Sequence, residues 1–141
     1  MTTFHTISID GLDIFYREAG SRNNPTILLL HGSPTSSHMF RNLMPALADC
    51  FHLVAPDYPG FGYSSMPSVD EFDYTFDRLA EVMADFIAAI GLKRYSLYLM
   101  DYGGTKHCFP NCLVQCQLAA IGTDIDKPPN PDSWAFGYTQ Q

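Results

Sequence analysis

The chain has 141 residues, of which 46% are hydrophobic and 13% aromatic, so it can form one domain with a substantial core. Its formal net charge of −7 argues against nucleic acid or an anionic membrane as a partner. We find no cationic and apolar leader and no long apolar run, which favours a cytoplasmic protein. Four cysteines are too few for a disulfide scaffold, and we expect them to be reduced.

Alternating hydrophobic residues at the start of the chain predict an antiparallel β-hairpin. Apolar and polar residues alternate over residues 4–10 and 12–16, and the pair Asp10-Gly11 between them is a strong hairpin turn signal. After a polar loop, the continuous apolar run 26–30 predicts a buried strand.

Helical spacing and strand-like runs then alternate along the chain. A first predicted helix has Ser36 or Ser37 as its cap and an apolar stripe at helical spacing. The stripe consists of Phe40, Leu43, Met44 and Leu47. Residues 51–56 predict another strand, and residues 74–90 predict a second helix that ends at Gly91. This order of elements predicts an α/β sheet with right-handed crossovers.

The next predicted strand ends in a change of chemistry. Residues 95–100 are apolar or aromatic apart from Ser96, and the run stops at Asp101, which an aromatic residue and two glycines follow. A buried strand that delivers one polar side chain and then turns on glycine is typical of a nucleophile elbow. Gly103 lies where such a turn leaves little room for a Cβ. The alternative interpretation is that Asp101 caps the helix that follows.

Two loops between the predicted elements carry further signals. His31-Gly32-Ser33-Pro34 follows the strand 26–30, where a tight turn would aim backbone N–H groups at the carboxyl edge of the sheet. An ordinary strand-to-helix connection is the alternative interpretation. We interpret His31 as a structural hydrogen-bonding residue rather than a base.

The loop 57–62 contains two glycines, but no third glycine follows them and Pro59 precedes them, so we reject a dinucleotide site and expect no cofactor. Asp57 at its start is interpreted as an acceptor that organises the loop.

Together these motifs resemble those of the α/β-hydrolase superfamily, in the haloalkane dehalogenase and epoxide hydrolase branch, whose elbow nucleophile is an aspartate. The motifs are His31-Gly32-Ser33-Pro34, Asp57-Tyr58-Pro59-Gly60-Phe61-Gly62 and Leu99-Met100-Asp101-Tyr102-Gly103-Gly104. The resemblance covers roughly residues 4–104, and it implies the N-terminal half of an α/β-hydrolase fold. We therefore expect a partial hydrolase core over residues 1–104 and a divergent tail over residues 105–141.

The resemblance also implies roles for individual residues. Asp101 would be the nucleophile, and the backbone N–H groups of Ser33 and Tyr102 would form the oxyanion hole. Ser33-Pro34 would be a cis bond, and the supporting residues would be His31, Gly32, Pro34 and Gly103. Dehalogenases of this branch hold the halide with Trp after the nucleophile and Asn after the His-Gly pair. Here those positions are Tyr102 and Ser33.

An aspartate suits the reaction that the resemblance implies. A carboxylate is ionised at neutral pH and attacks a saturated carbon of a small-molecule substrate without a base, which leaves an alkyl ester on the enzyme. A histidine-activated water then hydrolyses the ester through a tetrahedral oxyanion. The triad in this family runs nucleophile, acid, histidine along the chain.

After Gly104 the resemblance ends. Pro110 falls where the helix after the elbow should continue, and His107 is the sole histidine downstream of Asp101. Cys108, Cys112 and Cys116 recur at every fourth residue, but Pro110 interrupts them and no matching ligand pair exists, so we expect no metal site. We attribute the tail to a shifted reading frame, an alternative exon or a truncated gene.

The leading hypothesis is thus an aspartate-nucleophile hydrolase whose catalytic domain is incomplete and inactive alone. The alternative is a non-catalytic remnant or interaction protein built on the half fold. In either case an exposed sheet edge would favour self-association.

Overall fold

The computed structural model describes residues 1–101, which form a mixed sheet with helices on both faces. Within this range the five strands lie in the order β1-β2-β4-β3-β5. Their bounds are Thr2–Ile9 for β1, Leu12–Ala19 for β2, Thr26–Leu30 for β3, His52–Pro56 for β4 and Ser96–Leu99 for β5. The predicted α/β fold class is confirmed.

The hairpin β1–β2 forms at the predicted turn. Asp10 and Gly11 both have positive φ, at 49° and 80°, which matches the twist of the flanking strands in a tight two-residue turn. Both strands are longer than predicted. β2 continues past Tyr16 because its last residues gain a second partner: Tyr16 to Ala19 pair antiparallel with β4.

The remaining strands are parallel, as predicted: β3 pairs with β4 on one side and with β5 on the other. Side chains of β3 and β4 are buried on both faces of the sheet. Leu28, Leu30 and Val54 belong to the core cluster on one face, and Leu29 and Leu53 belong to the cluster on the other. Burial on both faces explains why these strands are continuous apolar runs in the sequence.

The first connection differs from the single helix that the sequence predicts. A 3₁₀ helix covers Ser37–Phe40, and a separate short helix, α1, covers Leu43–Leu47. The reason is Pro45, which has no backbone N–H and is therefore tolerated in the first turn of a new helix but not inside a continuous one. The predicted stripe still packs against the sheet, with Phe40 and Met44 buried.

The second helix, α2, covers Phe76–Ala89 and packs on the opposite face of the sheet. The Thr75 side chain caps its start by accepting from the backbone N–H of Arg78. Gly91 ends it as predicted, with a φ of 75° and an N–H that donates to the carbonyl of Ala88. The chain then leads into β5.

The predicted tail at residues 105–141 and its boundary at residue 104 lie outside the described residues. Among residues 1–101, no helix is both long and apolar enough to cross a membrane, and no cluster of three or more His, Cys, Asp or Glu side chains is arranged to hold a metal ion. Self-association through a sheet edge stays a prediction.

Candidate active site

The candidate site forms where β3 and β5 end side by side. The two strands are parallel and paired up to Leu30 and Leu99, and the N–H of Met100 donates to the carbonyl of Leu30 at 3.3 Å. Because parallel neighbours share one carboxyl edge, the loop that begins at His31 and the residue Asp101 leave the sheet together. This edge is where ligands bind in open α/β sheets.

Asp101 itself has the backbone conformation expected of a sharp turn. Its φ is 52°, in the left-handed region that residues other than glycine rarely adopt, and its side chain is exposed. Such strained residues cluster at functional sites. The turn therefore presents the carboxylate at the sheet edge. Tyr102 and Gly103, the other predicted residues of this turn, lie outside the described residues.

Gly32 allows the loop after β3 to approach Asp101 closely. A Cβ at position 32 would lie 2.6 Å from the Cβ of Asp101, closer than real Cβ atoms come, and a tight 3.1 Å from the carbonyl oxygen of Met100. Because residue 32 has no side chain, the backbone of this loop can lie against the predicted nucleophile. In the same loop the peptide bond Ser33-Pro34 is cis, as the sequence resemblance implied.

His31 is buried and joins the two loops of the site. Its Nδ1 lies 2.9 Å from the carbonyl oxygen of Gly32, and its Nε2 lies 3.1 Å from the backbone nitrogen of Tyr58. Since a backbone N–H can only donate, Nε2 must accept and Nδ1 must carry the proton. Burial lowers the pKa of the His31 imidazole, which favours this neutral form, although Gly32 and Asp57 oppose the shift. Both ring nitrogens are therefore used in holding the loops.

Asp57 is fully buried at 0% exposure, and its carboxylate accepts hydrogen bonds from the backbone of the same two loops. Oδ1 accepts the backbone N–H of Ser37 at 2.6 Å, and Oδ2 accepts the backbone N–H of Tyr63 at 2.9 Å. Its own carbonyl accepts the hydroxyl of Ser64 at 2.7 Å. Gly62 lies against this carboxylate, with a φ of 56°, and a Cβ there would collide with Oδ2.

Arg17 is part of this network, and sequence reasoning missed it. Its Nε donates to the hydroxyl of Ser37 at 3.0 Å, while the backbone of Ser37 donates to Asp57. Ser37 was considered only as a helix cap, a task that the side chain of Ser36 performs. The predicted strand ended at residue 16, so Arg17 lay just beyond it, and no pattern in the sequence indicated its burial.

A small apolar cavity of about 10 Å³ lies beside the loops, which is about the space of one water molecule. Its lining residues are His31, Gly32, Ser33, Tyr58, Phe61, Phe76 and Leu79. The structure thus brings His31, Gly32 and Ser33 together at one cavity and sets Gly32 against Asp101. The aromatic residues of the cavity wall were not predicted as site residues.

A family model of the alpha/beta hydrolase fold matches residues 25–105, more than half of the chain, so this chain belongs to the α/β-hydrolase family. Among curated relatives, it is 48% identical over 101 residues to the uncharacterized hydrolase YNR064C of Saccharomyces cerevisiae. That match covers 71% of this chain and 34% of the relative. Haloalkane dehalogenase 2 of Mycobacterium tuberculosis is 45% identical over 91 residues, which are 64% of this chain and 30% of that enzyme.

Solved structures of hydrolases support the same family membership. Haloalkane dehalogenase DbeA from Bradyrhizobium elkani matches 73% of this chain and 34% of its own with a TM-score of 0.69 and 35% identity. The epoxide hydrolase CorEH matches 74% of this chain and 35% of its own with a TM-score of 0.67 and 32% identity. The predicted hydrolase membership in a dehalogenase-like branch is confirmed for the N-terminal part of the chain. The chain spans about a third of the length of the curated relatives it matches.

The buried His31 predicts a pH dependence of stability. Its pKa is lowered in the folded protein, whereas in the unfolded chain it is about 6.5, so the unfolded state binds more protons as the pH falls. We expect the free energy of unfolding to decrease as the pH falls from about 7 to about 5, with a contribution from His31 of at most about 1.4 kcal/mol per pH unit, the limit for one proton. Urea unfolding of the wild type and of His31→Gln across this range isolates the contribution, because all other groups titrate in both. Equal slopes would contradict the assignment.

The carboxylate of Asp57 makes Gly62 more sensitive to substitution than Gly11, the glycine of the hairpin turn. Gly62→Ala and Gly11→Ala both place a side chain at positive φ, which costs about 1–2 kcal/mol, but nothing lies within 4 Å of the new Cβ at Gly11. We expect Gly62→Ala to lose about 2 kcal/mol more, because a displaced buried carboxylate gives up a charge-assisted hydrogen bond. Urea denaturation of the two variants measures the difference, and equal losses would show that Asp57 does not constrain this loop.

Proposed function

We propose that this chain supplies the nucleophilic half of a haloalkane dehalogenase-like hydrolase, with Asp101 as the nucleophile. The observation that carries the proposal is the placement of Asp101: exposed, in left-handed backbone at the end of β5, and in contact distance of Gly32. The relatives named haloalkane dehalogenase and epoxide hydrolase support the reaction class. The substrate class would be a small alkyl halide or epoxide.

The first half-reaction needs little from the protein beyond this carboxylate. One oxygen of Asp101 attacks the carbon that bears the leaving group, a carbon–oxygen bond forms, and the carbon–halogen bond breaks with its electron pair leaving as halide. With an epoxide, the ring carbon–oxygen bond breaks instead, and the alkoxide takes up a proton from water. The product in both cases is an alkyl ester of Asp101.

The second half-reaction needs stabilisation of an oxyanion. Water adds to the ester carbonyl of Asp101 and places negative charge on its oxygen, which two converging backbone N–H groups would stabilise. We propose Ser33 and Tyr102 as these donors. Ser33 lies in the loop that Gly32 holds against Asp101, which supports the first of the two assignments.

The same step needs a base, and the four histidines of residues 1–101 have other partners. His31 uses both ring nitrogens, and the Nδ1 of His38 lies 3.5 Å from Arg17. His52 binds Glu18 at 2.8 Å, and His5 also lies near Glu18. Within this range Asp101 makes no hydrogen bond or ion pair with a histidine. We therefore propose that residues 1–101 carry the reaction no further than the ester.

The proposal predicts a covalent adduct without turnover. When the purified full chain is incubated with a short bromoalkane, intact-mass spectrometry should show slow growth of one adduct that mild alkali removes, because it is an ester. Alkylated cysteines are thioethers and survive the alkali. Asp101→Asn keeps the size of the side chain but lacks a carboxylate, so it should show no alkali-labile adduct.

Asp85→Asn is the matched control, because Asp85 is an exposed carboxylate on α2 and its loss should leave the adduct unchanged. A wild-type chain without the adduct, or an adduct that persists in Asp101→Asn, would overturn the nucleophile assignment. Sustained halide release over many turnovers, lost in Asp101→Asn, would instead show that the chain does contain the base.

A further inference from the structure

An open groove of about 620 Å³ lies on the hairpin face opposite α2, and the proposed hydrolase function does not use it. Its lining residues are Phe4, Thr6, Phe15, Arg17, His38 and Tyr63. The alternation along β1 and β2 creates it: Ile7, Ile9, Ile14 and Tyr16 pack toward α2, so their neighbours face the other way. On that other face the core beneath α1 and the 3₁₀ helix is formed by residues of β3, β4 and the end of β2, including Leu29, Leu53 and Ala19.

The groove has an aromatic wall. The rings of Phe4 and Phe15 stack with centroids 6.2 Å apart, and the ring of Tyr63 lies 5.1 Å from that of Phe15. Phe4 is 59% exposed and Tyr63 is 74% exposed. Contiguous exposed aromatic surface of this kind marks binding sites, since a flat ligand can cover it by stacking.

Arg17 places a positive charge at the floor of the groove. It lies opposite Phe4 in the strand register, and its guanidinium carbon is 5.0 Å from the Phe4 ring centroid and 5.6 Å from that of Phe15. The residue is only 7% exposed. A cation held against ring faces and away from bulk water is strongly attracted to an incoming anion.

Within residues 1–101, no carboxylate lies within ion-pair distance of this guanidinium. Its hydrogen-bond partners are the hydroxyl of Ser37, at 3.0 Å, and Nδ1 of His38, at 3.5 Å, and neither is a carboxylate. Arg22, by contrast, binds both carboxylate oxygens of Glu18. A guanidinium has five N–H donors, so Arg17 retains donors for a ligand, and none of the residues that line the groove is acidic.

We propose that this groove binds a small aromatic carboxylate. The carboxylate accepts from the free N–H groups of Arg17, and the aromatic ring stacks against Phe15 and Tyr63. A small molecule fits better than a protein surface, because Arg17 is only 7% exposed and the rings of Phe4 and Phe15 lie against its guanidinium. The site is separate from Asp101: β4 and β3 lie between β2 and β5 in the sheet.

The test uses benzoate as the probe and benzamide as its uncharged control of the same shape. In amide NMR spectra of the full chain, benzoate should cause saturable shifts at Phe4, Arg17 and Tyr63 with a dissociation constant on the order of 1 mM, and benzamide should bind at least about tenfold more weakly. Arg17→Met should weaken benzoate by a similar factor, while Arg78→Met, at an arginine paired with Glu81, should not.

Because Arg17 also donates to Ser37, Arg17→Met removes a structural hydrogen bond as well as the proposed ligand contact. A second variant therefore tests the site while leaving that bond in place. Tyr63→Ala removes an exposed ring from the rim and should weaken benzoate about threefold or more while the rest of the spectrum stays that of the wild type. Asp101→Asn should leave benzoate binding unchanged, which separates this site from the proposed nucleophile. Absent shifts, equal binding of benzamide, or full binding by Tyr63→Ala would each overturn the proposal.

Discussion

The architecture of the site depends on one buried charge, the carboxylate of Asp57. A carboxylate removed from water is costly unless hydrogen bonds satisfy it, and here two backbone N–H groups do so from separate loops, those of Ser37 and Tyr63. The next residue, Tyr58, donates its N–H to His31. The connection after β3 and the loop after β4 are thus tied together by bonds that cannot be exchanged for water without exposing the charge.

The position of the candidate nucleophile has a different origin. The parallel pairing of β3 and β5 brings Asp101 to the sheet edge, and the missing side chain of Gly32 lets the loop backbone approach it. The sheet therefore positions the carboxylate, and the network around Asp57 holds the loop that contains Ser33, one of the proposed donors. This division suits a reaction in which the nucleophile acts unaided and the backbone stabilises charge that develops later.

Local signals were sufficient to predict much of this fold. The hairpin turn at Asp10, the stop at Gly91 and the buried strand β3 depend on neighbours within a few residues, and all were correct. The first helix was predicted as continuous because its apolar spacing outweighed Pro45. The bond from Arg17 to Ser37 joins residues twenty positions apart, and no periodicity reports such a pairing. The acceptor role of Asp57 followed from its turn, whereas its partners required the fold.

A crystal structure of the full chain after reaction with a bromoalkane tests the central claim most directly, because it shows where the alkyl group is attached and what surrounds it. Our account predicts an ester on a carboxylate oxygen of Asp101, with the loop at Gly32 in contact and the Ser33 N–H directed at the ester carbonyl. Asp101 unmodified in a protein alkylated elsewhere, or an Asp101 ester turned away from Ser33, would contradict it.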